Sequence, residues 1–523
     1  MERRTFIGGG AAALTALATT ACKGSTGSTS GAETGAGTAT RTQTTATSKS
    51  AAAPANWTAL ARDLDGPLIR PGDASWKSAH QLYNTRFDAL KPAAVAYVAH
   101  PDDIRTTLAY ARAHNLHVAI RNGGHSYAGW SSGNNRLIID VSKLNRIRAS
   151  GNTAVIGAGS KLIDVYRALA AKGVTIPAGS CPTVGVSGLT LGGGHGVTSR
   201  AYGLTCDSLT QATLITADGK QLTANATTNK DLFWALRGAG NGNFGVVTEL
   251  HFKTHPAPQA VTAYMTWPWS KAAALIKAWQ EWGPSQPDEI WSALSISNHA
   301  GGTPTLSVAA FSLGTYRELQ NAVDRLADRP GGPGPASNVA LRRRSYEESM
   351  ELYAGCSSFA TDAQCHLPGS TPGRSPQGAL GRETYTGKSD FFDRSLSAAG
   401  VQTLLKQLRS VRGGSGSIAL TALGGAVNRV SPTATAFVHR RSRFLAQYIA
   451  SWRAGTTGSE AQAWLKQAHD AMRPYASGAA YQNYTDATLS DWRKAYYGDA
   501  ATRLTRLKKQ YDPERFFTYP QAL

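Results

Sequence analysis

Gly179-Ser180-Cys181-Pro182-Thr183-Val184-Gly185-Val186-Ser187-Gly188 is the stretch on which the reading of this chain turns. A second glycine-rich stretch precedes it, Arg121-Asn122-Gly123-Gly124-His125-Ser126. Each carries one nucleophilic side chain, Cys181 or His125, within backbone too rich in glycine to be a packed core element. Glycine lets main-chain N–H groups come close to a ligand and hold its anionic groups. A histidine and a cysteine on two such cradles point to one large phosphate-bearing cofactor held covalently at two points. Arg121 to Ser126 follows a strand and can offer donors to a diphosphate. Gly185 to Gly196 makes a second cradle, with Ser187, Gly188 and Gly193 inside it. Gly192-Gly193-Gly194 is not the dinucleotide fingerprint, because the strand-turn-helix frame and the distal acidic residue are missing. A nicotinamide enzyme is disfavoured.

Outward from these loops the chain alternates strands and helices. Residues 94–99 predict a strand, and Pro101-Asp102-Asp103 opens a helix through Ala113 with acids in its first turn. Strands follow at 117–121, 137–141 and 154–157, then a helix at 161–172 ended by Gly173. A hairpin turns at Gly219, and the strand at 245–255 ends at Pro256-Ala257-Pro258. Beyond that boundary Trp267, Trp269, Trp279, Trp282 and Trp291 crowd together. Helices at 270–282 and 316–328, with strands at 305–311 and 418–423, suggest helices layered over an antiparallel sheet. There are no internal repeats.

Three further runs fix a resemblance. Gly185 to Asp207 includes Gly192-Gly193-Gly194-His195-Gly196. Asp231 to Glu249 contains Arg237-Gly238-Ala239-Gly240-Asn241-Gly242-Asn243-Phe244-Gly245. Later come Tyr481-Gln482-Asn483-Tyr484, Trp492, Tyr496-Tyr497-Gly498 and Tyr511-Asp512-Pro513. In this order, from about Ala93 to Leu523, the motifs resemble the berberine-bridge-enzyme-like FAD-linked oxidases of the vanillyl-alcohol-oxidase superfamily. The pattern is most similar to the sugar and glycoside oxidases with doubly linked FAD. The resemblance implies an α+β fold: a two-part FAD-binding domain of the vanillyl-alcohol-oxidase type, plus a substrate domain of antiparallel sheet covered by helices. It divides the chain into an FAD-binding domain at 56–258, a substrate-binding domain at 259–474 and a return to the FAD-binding domain at 475–523.

The same resemblance implies roles. His125 would bond the flavin 8α-methyl and Cys181 its C6, so the cofactor is expected to be covalent FAD. Arg121, Asn122, Gly123, Gly124, Ser126, Gly185, Ser187, Gly188, Gly193, Gly196, Val247 and Asn483 are the further cofactor-binding residues, with no metal. Tyr484 would take the substrate hydroxyl proton, supported by the phenol of Tyr481. A free tyrosine has a pKa of about 10, so it must be shifted down or paired to act as a base near neutrality. Val184 stands at the family's oxygen gate, where valine goes with oxidase behaviour and hydrogen peroxide release. Leu189 stands where some members carry a histidine near flavin N1. Residues 420–430 resemble the strand and turn that line the family's substrate pocket. The expected substrate is an alcohol carbon of a sugar, oligosaccharide or glycosylated natural product. A polycyclic or alkaloid-like substrate in secondary-metabolite tailoring remains the alternative.

The 523 residues carry a formal net charge of +20, yet the basic residues are scattered apart from Arg342-Arg343-Arg344 and Arg440-Arg441-Ser442-Arg443. No zinc-finger spacing or RNA-binding aromatic signature accompanies them, so nucleic acid is not expected as a partner. Most of the excess reads as solvated surface. Arg3-Arg4-Thr5-Phe6-Ile7 before a mild apolar run to Ala21 predicts a twin-arginine export signal over 1–22. Thr19-Thr20-Ala21-Cys22 outlines a lipoprotein cleavage box, although Thr19 stands where an aliphatic residue is usual; lipidation of Cys22 stays open. Residues 23–55 hold Ser, Thr, Gly and Ala and predict a disordered tether. The expectation is a monomer outside the cell or at its surface, touching membrane only through a lipid on Cys22. Export also permits a disulfide between Cys356 and Cys365. Cys206 reads as a small core residue.

Two other classes compete. Gly129-Trp130-Ser131-Ser132-Gly133 fits the serine-hydrolase pattern G-x-S-x-G, but nothing around it reads as a strand-to-helix elbow. A glycan-binding surface lipoprotein without catalysis would use the tether and the tryptophans, with Trp267, Trp269 and Trp291 stacking on sugar rings.

Overall fold

The computed structural model describes residues 55–523; the stretches read as an export signal and a tether, with Cys22, lie outside the described residues. Strands Ala94–Tyr97, Leu137–Asp140 and Val118–Arg121 pair in parallel, with Leu68–Ile69 antiparallel at the edge. Ala94–Tyr97 and Leu137–Asp140 are buried at every position, which is why Ala94–Tyr97 and Leu137 to Ile139 read as apolar runs rather than alternations, with Asp140 paired inside. The helix Pro101–Ala113 links the first and last of these strands. Pro101 sits at its first turn, and Asp103 turns back to accept from the N–H groups of Ala99 (2.7 Å), Asp65 (2.9 Å) and Gly66 (3.0 Å).

A second, antiparallel sheet runs Ile147–Ser150, Thr153–Gly157, Val246–Lys253, Leu209–Ile215, Gln221–Asn225. The helix Leu162–Ala170 precedes the Cys181 loop. Sequence reasoning held the stretch after Cys181 too glycine-rich to pack; the structure corrects this. Val186–Leu191 is a short helix with Val186, Thr190 and Leu191 buried, and it packs on the helix Lys230–Ala239. Val186 and Thr190 fall one helical turn apart on the inward side, while exposed Gly188 looks out of it.

The third sheet has seven antiparallel strands in the order Asn338–Arg344, Ala260–Trp267, Thr305–Ser312, Ile290–His299, Ser415–Ala422, Phe444–Ser451, Tyr385–Phe392. Helices Ala272–Trp282, Tyr316–Ala327, Ala398–Arg409 and Ser459–Met472 cover one face. Alternation of period two separates its faces. Leu294, Ile296, Ile418, Leu420, Ala446 and Tyr448 pack with Leu275, Trp279, Leu319, Leu404 and Leu465 of the helices. Each fully buried Val, Leu, Ile or Phe side chain is worth about 1.5–3 kcal/mol. Trp267 and Trp269 belong to this helix-side packing, whereas Trp291 faces the other way. Thr315 and Glu318 close a reciprocal cap on the helix Tyr316–Ala327.

Residues 480–523 pack back on the first two sheets: Trp492, Tyr496, Tyr497, Leu504 and Leu507 join their core. Trp291, Ala293 and Phe311 of the seven-stranded sheet join it too, so its uncovered face is applied to the rest of the molecule. Several basic residues expected at the surface are inside. Arg440 is 1% exposed and makes two bonds to Asp207 (2.7 and 2.8 Å). Arg200 donates to the carbonyls of Pro284, Ile290, Gln286 and Leu423. Arg443, by contrast, is only half-buried and pairs with Glu281 at 2.8 Å. Cys206 is fully buried, and Cys356 is joined to Cys365 by a disulfide with Cα atoms 5.6 Å apart. Among the described residues no helix is long and apolar enough to cross a membrane.

Candidate active site

A cavity of about 1500 Å³ lies between the uncovered face of the seven-stranded sheet and the two glycine-rich loops. Strand Val118–Arg121 delivers the first loop, and the two loops touch closely. A Cβ on Gly123 would stand 2.4 Å from the Thr183 carbonyl oxygen and 2.6 Å from the Gly185 nitrogen, so only glycine fits there. Asn122 locks the junction. Its Oδ1 accepts from buried Lys161 Nζ at 2.6 Å, and its Nδ2 donates to the Ala158 carbonyl and to Ser187 Oγ (3.2 Å).

His125 and Cys181 both line the cavity. His125 Nε2 is 2.8 Å from Thr183 Oγ1, and the ring stacks on Tyr83 with centroids 4.0 Å apart. Burial lowers the His125 pKa to about 3, with Lys161 adding to the effect, so the ring is neutral and keeps a nucleophilic lone pair. Cys181 is a free thiol. Burial, then the charge of Glu383, raises its pKa to about 12.

The segment Tyr481–Tyr484 crosses the cavity from the other side. Tyr484 presents its ring on a 3-10 turn over Gln482–Tyr484 and stacks face to face on Tyr127, centroids 5.3 Å apart. Its hydroxyl is 2.7 Å from Nε2 of His195. Burial holds the Tyr484 phenol well above 10, so it is not shifted down; it is paired. Tyr481 is placed differently from the support expected of it. Its hydroxyl accepts from Gly194 N (2.8 Å) and Asn483 Nδ2 (2.9 Å), and only its ring edge meets Tyr484. Asn483 also donates to the Leu189 carbonyl and accepts from Asn241 Nδ2, both at 2.9 Å.

Of the other sequence-derived residues, Asn122, Gly123, Gly124, Ser126, Val184, Gly185, Ser187, Gly188, Gly196, Val247 and Asn483 are on the cavity wall. Arg121 and Gly193 are not. Arg121 is buried behind the wall and pairs with Asp140 at 2.5 Å, while Gly193 packs under Phe437. Strand Ser415–Ala422 contributes Ala419 and Thr421 to the wall; the following Gly424-Gly425 turn packs instead against Arg200. Sequence reasoning missed His195, Tyr83, Tyr127, Glu383, Tyr385 and Gln447. His195 stood within a quoted motif without being singled out, and the tyrosines gave no local signal.

The cavity suits a flavin dinucleotide. Its volume exceeds the roughly 300–1,000 Å³ of ordinary ligand pockets, room for a large cofactor and a substrate together. Ser131 Oγ, His195 Nδ1 and Asn241 Oδ1 are buried at its wall without a hydrogen-bond partner, as a polar ligand requires. A sequence model of the FAD binding domain matches residues 92–225, and one for berberine and berberine-like proteins matches residues 480–523. An uncharacterized FAD-linked oxidoreductase of Bacillus subtilis, YgaK, is 30% identical over 466 residues, covering 88% of this chain and 97% of that protein.

The chain belongs to the berberine-bridge-enzyme-like FAD-linked oxidoreductases. FAD is the cofactor of this oxidoreductase, and its fold is of the vanillyl-alcohol-oxidase type. It is 29% identical to the chitooligosaccharide oxidase of Gibberella zeae, over 87% of this chain and 92% of that enzyme. The structure of Physcomitrella patens BBE-like 1 superposes with a TM-score of 0.79 at 29% identity, covering 89% of this chain and 98% of that one. An oxidoreductase family sets aside both the hydrolase and the binding-module readings.

Proposed function

We propose that this oxidoreductase is an oxidase of sugar or oligosaccharide alcohols, exported from the cell. The observation that carries the substrate class is the sheet face over the cavity. Ser295, Ser297, Thr305, Ser415, Ser417 and Thr421 present neutral hydroxyls there, and Trp291 and Trp452 stand on the same wall. Hydroxyls both donate and accept, which matches the alternating demands of a sugar's own hydroxyl groups. Charged side chains on the wall are few: Glu383, Arg382 and Arg453 beside the histidines. A chitooligosaccharide oxidase among the relatives supports the same class.

His125 and Cys181 would hold the FAD covalently, with the Asn122–Ser126 and Gly185–Gly188 backbone around it. The bound flavin supplies the acceptor for the hydride that leaves the alcohol carbon. This chain's own residues supply the rest. Tyr484 receives the hydroxyl proton as the carbonyl forms. Tyr127, held by Gln447 Nε2 at 2.5 Å, fixes the Tyr484 ring from its stacked face. Val184, small and on the cavity wall, leaves dioxygen a path, so reoxidation releases hydrogen peroxide.

Peroxide release measured across neutral oligosaccharides, uronic acids and aglycone alcohols tests the reading. Turnover confined to neutral sugars is the expected result. Turnover of aglycone alcohols alone overturns it in favour of natural-product tailoring.

A further inference from the structure

A tyrosine whose phenol resists ionisation is a poor proton acceptor by itself. It can take one proton only if it gives up another in the same event. The hydroxyl of Tyr484 has one partner positioned for this, the imidazole Nε2 of His195 at 2.7 Å. We propose that His195 is the terminal proton acceptor of the reductive half-reaction, working through Tyr484 as a relay.

Three features of the site support the relay. His195 belongs to the Gly192–Gly196 segment, whose backbone is pinned from both sides. Gly194 N donates to Tyr481 Oη, and a Cβ on Gly196 would stand 1.7 Å from the Ala178 carbonyl oxygen. The imidazole is therefore placed by a rigid element, as proton transfer at hydrogen-bond distance requires. Next, the ring lies against two tyrosine rings, Tyr481 tilted at 5.4 Å and Tyr484 edge-on at 5.6 Å. Among the described residues no carboxylate holds it protonated, and burial lowers its pKa to about 4, so it waits as the neutral base. Finally, Nδ1 is buried at the cavity wall with no protein partner among the described residues. With Nε2 accepting from the phenol, the ring proton sits on Nδ1, and a second proton on Nε2 completes the imidazolium.

The step balances. The C–H bond breaks and its hydride reduces the oxidised flavin, while the C–O bond becomes C=O. The substrate O–H proton passes to Tyr484 Oη as the Tyr484 proton passes to His195 Nε2. The substrate hydroxyl turns strongly acidic as the hydride departs, so a weakly basic imidazole suffices. This assignment rests on Tyr484 being the residue that meets the substrate hydroxyl.

His195→Gln keeps an acceptor oxygen for the phenol but cannot store a proton; His195→Phe removes both. Two readouts on the flavin-loaded enzyme separate pairing from proton storage. The first needs no substrate: 3-fluorotyrosine at position 484, followed by 19F NMR. Its resonance should shift in His195→Phe and stay near the parent position in His195→Gln. An unchanged resonance in His195→Phe overturns the pairing. The second is anaerobic stopped-flow reduction by the fastest of maltose, cellobiose, xylobiose and chitobiose. His195→Gln should slow reduction by about 10²-fold, with little change in half-saturating sugar. A parent-like rate in His195→Gln, together with a slow Tyr484→Phe, overturns the relay and leaves Tyr484 standing. A parent-like rate in Tyr484→Phe removes both. If none of the four sugars reduces the flavin, the sugar reading fails and the 19F result alone decides the pairing.

Discussion

Thr183 Oγ1 stands 2.8 Å from Nε2 of His125, so the loop that carries Cys181 reaches across to orient the histidine of the other loop. That contact occupies one ring nitrogen and leaves Nδ1 as the nitrogen able to form a bond. The two attachment candidates are therefore coupled in geometry, although each sits on its own backbone cradle.

His125→Ala and Cys181→Ala should each retain flavin through the remaining linkage. The double variant should release FAD on acid precipitation. Intact-protein mass and the absorbance of the supernatant measure this. Complete flavin loss from either single variant would falsify attachment at two points.

Tyr484→Phe should lower the rate of flavin reduction by sugar by about 10²–10⁴-fold while half-saturation changes little, the pattern of a lost proton acceptor. Stopped-flow absorbance of the flavin reads the rate directly. A drop in affinity without a drop in rate would assign Tyr484 to binding alone.

Val184 lies on the cavity wall between Cys181 and the short helix Val186–Leu191. One added methylene at Val184→Ile should slow reoxidation by dioxygen and spare reoxidation by a dye acceptor. Equal slowing by both acceptors removes the gate.

Glu383 lines the cavity with its carboxyl desolvated, and the Tyr83 hydroxyl donates to it. Burial raises its pKa from 4.5 to about 7. The folded state thus binds this proton more tightly than the unfolded chain does. Its contribution to stability is fully present below about pH 4.5 and is lost as pH rises through 7. Glu383→Gln should match the parent in thermal melting near pH 4.5 and exceed it at pH 8. A gap that does not widen over that range contradicts the shift.

Asp207 faces the guanidinium of Arg440 inside the protein. Removing the carboxylate in Asp207→Ala leaves a buried cation uncompensated, at a cost of about 3–5 kcal/mol. Urea denaturation measures it, and a change below about 1 kcal/mol would mean that solvent reaches Arg440.

What the sequence disclosed follows from how each element is buried. Ala94–Tyr97 and Leu137 to Ile139 are runs of apolar residues, and the helix Pro101–Ala113 advertises its start with Pro101, Asp102 and Asp103, so these were legible. Most of the seven-stranded sheet was not. The strands 305–311 and 418–423 were read, but past Trp291 the cavity side of Ile290–His299 carries Ala293, Ser295 and Ser297, too small and mild to contrast with the helix side. Tyr385–Phe392 hides a strand behind Gly387, Lys388 and Asp390, the last paired inside with Arg473 at 2.6 Å. Arg440 read as part of a solvated basic run because its partner Asp207 is 233 residues away. The cofactor loops were readable because each motif is local. The pairing of His195 with Tyr484 spans 289 positions and left no trace in either neighbourhood.

That separation governs when the cavity can close. The cavity is walled by contacts spanning most of the polypeptide: Gly194 to Tyr481 across 287 positions and Asn84 to Tyr385 across 301. A chain still emerging from the ribosome has the glycine loops but lacks the tyrosines that close over them. The cavity is therefore complete only after translation has passed residue 484.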